Sequence, residues 1–293
     1  MLLLLRFFLA SAGMSVFDAI LNIAGLLLWL KWRDKGLELS GPRISLISTL
    51  RKAGPRHQQI WFFIALLALL IVRPLLYRLL GSAVDWTPTI SLGVIALPFR
   101  SDYLWRMVLF SFFSFAAALG IFYLGLLLLS LLSGRNSSPD PVQSLIRSQL
   151  GKLDLLPSPL KLFLPWFVML MLWCALNKPL TALGMLPPSK SFLHLLGQGA
   201  VVGMGVYLVW EYLIVGILFL HLLNSYIYFG AWPFWTFIDN SSRQILKWVS
   251  RIPLRVGKID LAPLVVIALA IFIAEYAKRG RFGLISFYQN LPT

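Results

Sequence analysis

Charge-free runs constrain this chain more than any other feature. From Met107 to Leu132 the sequence reads "MVLFSFFSFAAALGIFYLGLLLLSLL", without one ionisable acid or base. A helix needs about 20 apolar residues to cross about 30 Å of hydrocarbon. This run exceeds that length. Five further stretches are of the same kind: Val16 to Trp32, Ile60 to Leu80, Leu160 to Leu176, Ala200 to Leu223 and Leu261 to Ala277. None alternates with the two-residue period of a membrane β-barrel, so an all-α transmembrane fold of about six helices is expected. Composition agrees: 59% of residues are hydrophobic, 13% are charged and mean hydropathy is +0.81, against roughly 25% charged in soluble domains.

The charge that remains is strongly basic, +15, but it is not spread as a nucleic-acid-binding surface would spread it. It gathers in alternate connections. The first holds Lys31, Arg33, Lys35, Arg43, Arg51, Lys52 and Arg56; the third holds Arg135, Arg147, Lys152 and Lys161; the fifth holds Arg243, Lys247, Arg251, Arg255 and Lys258. The excess of Lys and Arg on cytoplasmic loops places these connections inside and both termini outside. The leader "MLLLLRFFLASAG" has no basic n-region and Arg6 interrupts its apolar run, which argues against a cleaved signal peptide. Translation starting at Met14 is an equal alternative. The single Cys174 falls inside the fourth span, which removes disulfide staples and cysteine metal clusters.

An internal duplication follows the third span. "FYLGLLLLSLLSG" aligns with "LIVGILFLHLLNS", matching Gly125 to Gly216, Ser130 to His221 and Ser133 to Asn224. "PVQSLI" from Pro141 then corresponds to "PFWTFI" from Pro233, and each unit closes on a span with an early proline, Pro165 or Pro263. The expected organisation is an N-terminal two-span region (1–100), a divergent first unit (101–185) and a second unit (186–293). Each unit is two helices joined by a basic amphipathic interfacial helix.

On these residues the chain resembles the YggT family, also called YlmG. The likeness lies in "NSYIYFGAWPFWTFIDNSSRQILKWVSRIPLRVGKIDLAPLVVIALAIF": a turn, a basic helix, a Pro-hydrophobic-Arg turn and Asp-x-x-Pro before the last span. The first unit departs from the pattern, with Leu162 where the second has Asp260. The resemblance implies a small multi-pass protein of the bacterial inner membrane, with no enzymatic activity and no cofactor. It also implies a scaffold or assembly role toward other membrane proteins.

Read physically, Asn240-Ser241-Ser242 has the composition of a helix cap. A helix starting there places Arg243, Lys247 and Arg251 on one side, with Ile245, Leu246, Val249 and Ile252 on the other. Such a helix lies at the headgroups with its basic face toward anionic lipid, each cation contributing about 1 kcal/mol, and Trp248 anchors its boundary. The plainer reading of these cations is a topology signal. Asp260 is expected to cap the last span.

Polar residues inside the spans are the other candidates, since a central charge costs about 2.5–3.5 kcal/mol on insertion scales. Asp18 and Asn22 share a face of the first span; Arg73, beside Pro74, has Asp18 or Glu211 as a partner; His221 and Asn224 share a face of the fifth. An interhelical polar pair and a proton or cation relay are both open readings, the second making the chain a transporter, channel component or ion-stress factor. Gly199 and Gly203 form GxxxG, which packs closely against another helix or self-associates as a homo-oligomer. The long connection after the second span is expected at the outer interface, with a re-entrant loop as the alternative. No metal spacing, nucleophile elbow or phosphate loop appears.

Overall fold

The computed structural model describes residues 2–33, 56–82, 86–99, 103–132, 141–189, 191–227, 232–247, 255–256, 259–281 and 283–291. It gives backbone alone for 2–13, 56–58, 82, 141, 255–256 and 259–260. The elements are α1 (Leu2–Arg33), α2 (Arg56–Ser82), β1 (Thr89–Ser91), β2 (Ala96–Pro98), α3 (Leu104–Leu132), α4 (Pro141–Leu150), α5 (Ser158–Ala182), α6 (Phe192–Gly205), α7 (Val209–Tyr226), α8 (Pro233–Leu246), β3 (Arg255–Val256), β4 (Ile259–Asp260), α9 (Ala262–Arg279) and α10 (Leu284–Gln289). A short 3₁₀ turn, Val206–Leu208, joins α6 to α7, and another, Gly151–Leu155, follows α4.

Among the described residues, five helices are long and apolar enough to cross a membrane: Met14–Arg33, Gln59–Gly81, Leu104–Leu132, Ser158–Ala182 and the joined Phe192–Tyr226. The sixth expected span is also helical, but Glu275, Lys278 and Arg279 occupy the end of its 18 residues. The fifth segment starts earlier than its apolar core suggested, because Ser191 caps α6 by accepting the His194 N–H at 3.1 Å. At 35 residues it is about 52 Å long at about 1.5 Å per residue, far more than hydrocarbon requires. The described residues are helical with almost no sheet: beside the two-residue strands of β3–β4, the connection after α2 carries a small hairpin, β1–β2, closed by Leu92 N–H to the Ile95 carbonyl at 2.8 Å.

The chain divides into two compact units, Met1–Ile90 with Pro98–Gly120, and Ser91–Leu97 with Ile121–Thr293. In the first, α1 and α2 pack along each other and Leu66, Leu70 and Phe115 form an apolar core. Pro74 cannot donate a backbone bond, which frees the carbonyl four residues earlier. Ser111 of α3 satisfies that Leu70 carbonyl at 3.0 Å.

In the second unit α5 and α6 form a tight helical pair. A Cβ on Gly203 would lie 2.9 Å from the Trp166 carbonyl, and one on Gly199 3.3 Å from the Trp173 ring. The GxxxG face is therefore taken by α5 of the same chain, and Trp166 adds an indole hydrogen bond to the Ala200 carbonyl at 3.0 Å. The hairpin turn seats on Gly205 in the same way, with Val94 Cγ2 2.8 Å from where a Cβ would stand. A separate core gathers Leu126 and Leu127, Ile146 and Leu150, Ile217, Phe237 and Ile238.

Two caps differ from expectation. Helix α8 starts at Pro233, not after Asn240: Trp232 is extended (φ −70°, ψ 143°) and the proline ring is preset for the first turn. Ser241 and Ser242 are buried within it, Ser242 donating back to the Asp239 carbonyl at 2.9 Å. Helix α9 has Leu261 at its N-cap with Pro263 in its first turn, while Asp260 lies in β4, paired with Arg255 across a short antiparallel ladder.

Candidate functional site

Three groups of polar side chains are available for function. The first lies inside the first unit, where α1, α2 and α3 each contribute. Asp18 Oδ1 accepts from Arg73 Nη2 at 2.8 Å and from the Tyr77 hydroxyl at 2.6 Å; Oδ2 accepts from Ser114 at 2.8 Å and Asn22 at 3.1 Å. Four donors fill the lone-pair directions of one carboxylate. Arg73 and Tyr77 are fully buried, and Arg73 also donates to Asn22 Oδ1 and to the Tyr77 oxygen, each at 2.9 Å. The rings of Trp86 and Phe110 enclose Tyr77. Arg73 thus pairs with Asp18, one of the two partners left open by the sequence. The four bonds of this carboxylate tie α1, α2 and α3 together as an interhelical clamp. Glu211, in the first turn of α7, is half-buried and makes no hydrogen bond or ion pair among the described residues.

The second group consists of two carboxylates in the second unit. Asp154, in the turn after α4, accepts from Ser130 of α3 at 2.5 Å and from Lys161 of α5 at 3.2 Å, with Arg147 3.6 Å away. Burial raises its proton affinity, but the hydrogen bonds from Ser130 and Lys161 and the charges of Lys161 and Arg147 outweigh burial and hold it below the ordinary carboxylate range. Lys161 also donates to Ser130 at 2.7 Å, the spacing of a Ser–Lys hydrolase. Both side chains of this pair are also bonded to the Asp154 carboxylate. The second carboxylate, Asp239 of α8, joins His221 Nδ1 at 2.8 Å and Asn224 Nδ2 at 3.1 Å. Both residues of that α7 face therefore have their partner on the interfacial helix. Among the described residues no three His, Cys, Asp or Glu side chains converge as a metal centre.

The third group is the outer face of α8. With Phe237, Ile238, Ser241 and Ser242 turned inward, Asn240, Arg243, Gln244 and Lys247 share the exposed side and line a concavity of about 340 Å³. Phe237 and Ile238 of α8 are buried in the protein's own core and Ile245 packs against it. Of the remaining cations and apolar positions, Arg251 and Lys258, with Trp248, Val249 and Ile252, lie outside the described residues. Arg255 is placed only as backbone in β3.

Together these features describe a helical protein with membrane-crossing helices, in which Asp18 pairs with Arg73 and Asp239 with His221 while Arg243 and Lys247 lie on an exposed helix face. Set against family models, curated proteins and solved structures, the chain matches none.

Proposed function

We propose that this chain is a multi-pass protein of the bacterial inner membrane, of the YggT type, that organises or assists assembly of other membrane proteins without catalysing a reaction. The observation that carries this reading is the division of its polar residues. Asp18, Asn22, Arg73, Tyr77 and Ser114 within the first unit are bonded to one another, whereas Arg243 and Lys247 lie exposed on the outer side of α8. A transporter would keep displaceable ligands along a path; a platform keeps its charges outward.

The arrangement as two tandem units has its own support. Leu126 and Ile217 occupy matched positions, as do Ile146 and Ile238, and all four meet in one buried cluster. Ser130 and His221, also matched, each bind a carboxylate from the interfacial segment that follows. Fastened in this way, α4 and α8 are rigid enough to present a surface. A proline-headed basic helix between two spans is then a docking element, and the odd connections face the cytoplasm.

The test is a deletion strain complemented by the wild type or by Arg243→Gln/Lys247→Gln. Membrane complexes separated on native gels should be depleted in the deletion and in the variant at equal protein level. Cation-stress tolerance measured in parallel distinguishes the ion-stress reading, which predicts loss of tolerance with complexes intact.

A further inference from the structure

We infer that the outer face of α8 is a discrete binding site for the phosphate of an anionic phospholipid, formed by Asn240, Arg243, Gln244 and Lys247. The inference rests on the reading of α8 as a docking element and names what that element holds. A diffuse basic patch needs only charge. Here the two cations alternate with two amides at i, i+3, i+4 and i+7, all on one helical side. They line a concavity of about 340 Å³, and no carboxylate is among the described residues that line it. The nearest acid on the helix, Asp239, points to the opposite partner set and is held by His221 and Asn224.

A guanidinium, an ammonium and two carboxamides supply donors for the oxygens of a phosphodiester, the guanidinium able to bond two at once. The source is a lipid and not a soluble phosphate, because the chain entering α8 is apolar and exposed. Tyr226, Ile227, Trp232 and Phe234 are 63%, 55%, 72% and 45% accessible. Aromatic side chains of this kind sit at the membrane–water boundary, where acyl chains begin. Phe237, Ile238 and Ile245 of α8 face the core, so a bound headgroup is what ties the opposite, polar face to the bilayer.

The test uses the full-length protein in nanodiscs with a neutral phosphatidylcholine background and titrated phosphatidylglycerol, with retained lipid counted by native mass spectrometry. Asn240→Ala/Gln244→Ala is the decisive variant, because it leaves every charge in place. The site predicts that this variant and Arg243→Gln/Lys247→Gln each weaken phosphatidylglycerol retention at least tenfold, with glycerol phosphate competing poorly. Unchanged retention by the amide variant overturns the inference, whatever the charge variant does, and so does equal competition by glycerol phosphate. Native gels of both variant strains report separately on docking. Complexes lost only with the charge variant, beside normal lipid retention by the amide variant, would leave the docking reading standing and the lipid site refuted.

Discussion

Replacing Asp18 by Ala should be the most destabilising single change in the first unit, and more costly than removing its partner. Asp18 accepts four hydrogen bonds, at 2.6, 2.8, 2.8 and 3.1 Å, and Arg73 is 0% exposed. Without Asp18, the guanidinium stays charged and buried, with only the oxygens of Asn22 and Tyr77 to accept from it; its Nη1 already lacks a partner in the described structure. Breaking a buried pair in this manner costs about 3–5 kcal/mol, roughly a hundredfold or more in the folding equilibrium. Arg73→Ala leaves the carboxylate with Tyr77, Ser114 and Asn22 as donors and 16% exposure, so it should lose clearly less. The Asp18→Leu/Arg73→Met double variant removes both charges and should recover most of the loss. Equilibrium unfolding in lipid bicelles reads all three. A loss of about 0.6 kcal/mol for Asp18→Ala, the average for membrane hydrogen bonds, would refute the clamp, as would a double variant as unstable as the sum of the singles.

The remaining predictions are narrower. Gly203→Leu drives a side chain into the Trp166 carbonyl and should cost about 1–3 kcal/mol as overpacking, read as a lower melting temperature; an unchanged melt would mean α5 and α6 are not in close contact. Asp154 has a lowered folded proton affinity, so its contribution is present above the unfolded carboxylate pKa and is lost as pH falls through the folded value. The melting gap between wild type and Asp154→Asn should therefore be full at neutral pH and close in acid, and a gap independent of pH would contradict the assignment. Cysteines at Ser148 and Lys247 should label from the cytoplasm and cysteines at Thr87 and Pro188 from outside; Thr87 and Lys247 labelling from one side would exclude the proposed topology. Glu211→Gln should leave complex assembly unchanged, and loss of an ion-dependent phenotype at normal protein level would favour transport.

What could be read from residues alone was governed by how strongly each residue type marks its surroundings. Apolar length announced the spans, and an isolated Asp18 and Arg73 in hydrocarbon demanded partners, so one member of the clamp pointed to the other. Tyr77 and Ser114 passed unnoticed because a hydroxyl in an apolar helix costs too little to stand out, although the i, i+4 spacing of Arg73 and Tyr77 was an available signal. Asp154 and Asp239 were missed for the opposite reason: in polar interfacial segments a carboxylate is ordinary, and only the fold brings it under Ser130 or His221. Asn240-Ser241-Ser242 has the composition of a cap, but Pro233 fixes an earlier start and packing against the core turns the serines inward. The three-residue strands of the hairpin are too short for alternation to register.

The central claim is that the outward cations of α8 support assembly of other membrane proteins. The most direct measurement places Arg243→Gln/Lys247→Gln on the chromosome and quantifies assembled membrane complexes on native gels against wild type and deletion, with the variant's own level and insertion verified. Depletion equal to that of the deletion strain is the predicted result. Complexes at wild-type abundance in the variant, whatever the deletion strain shows, would contradict the claim.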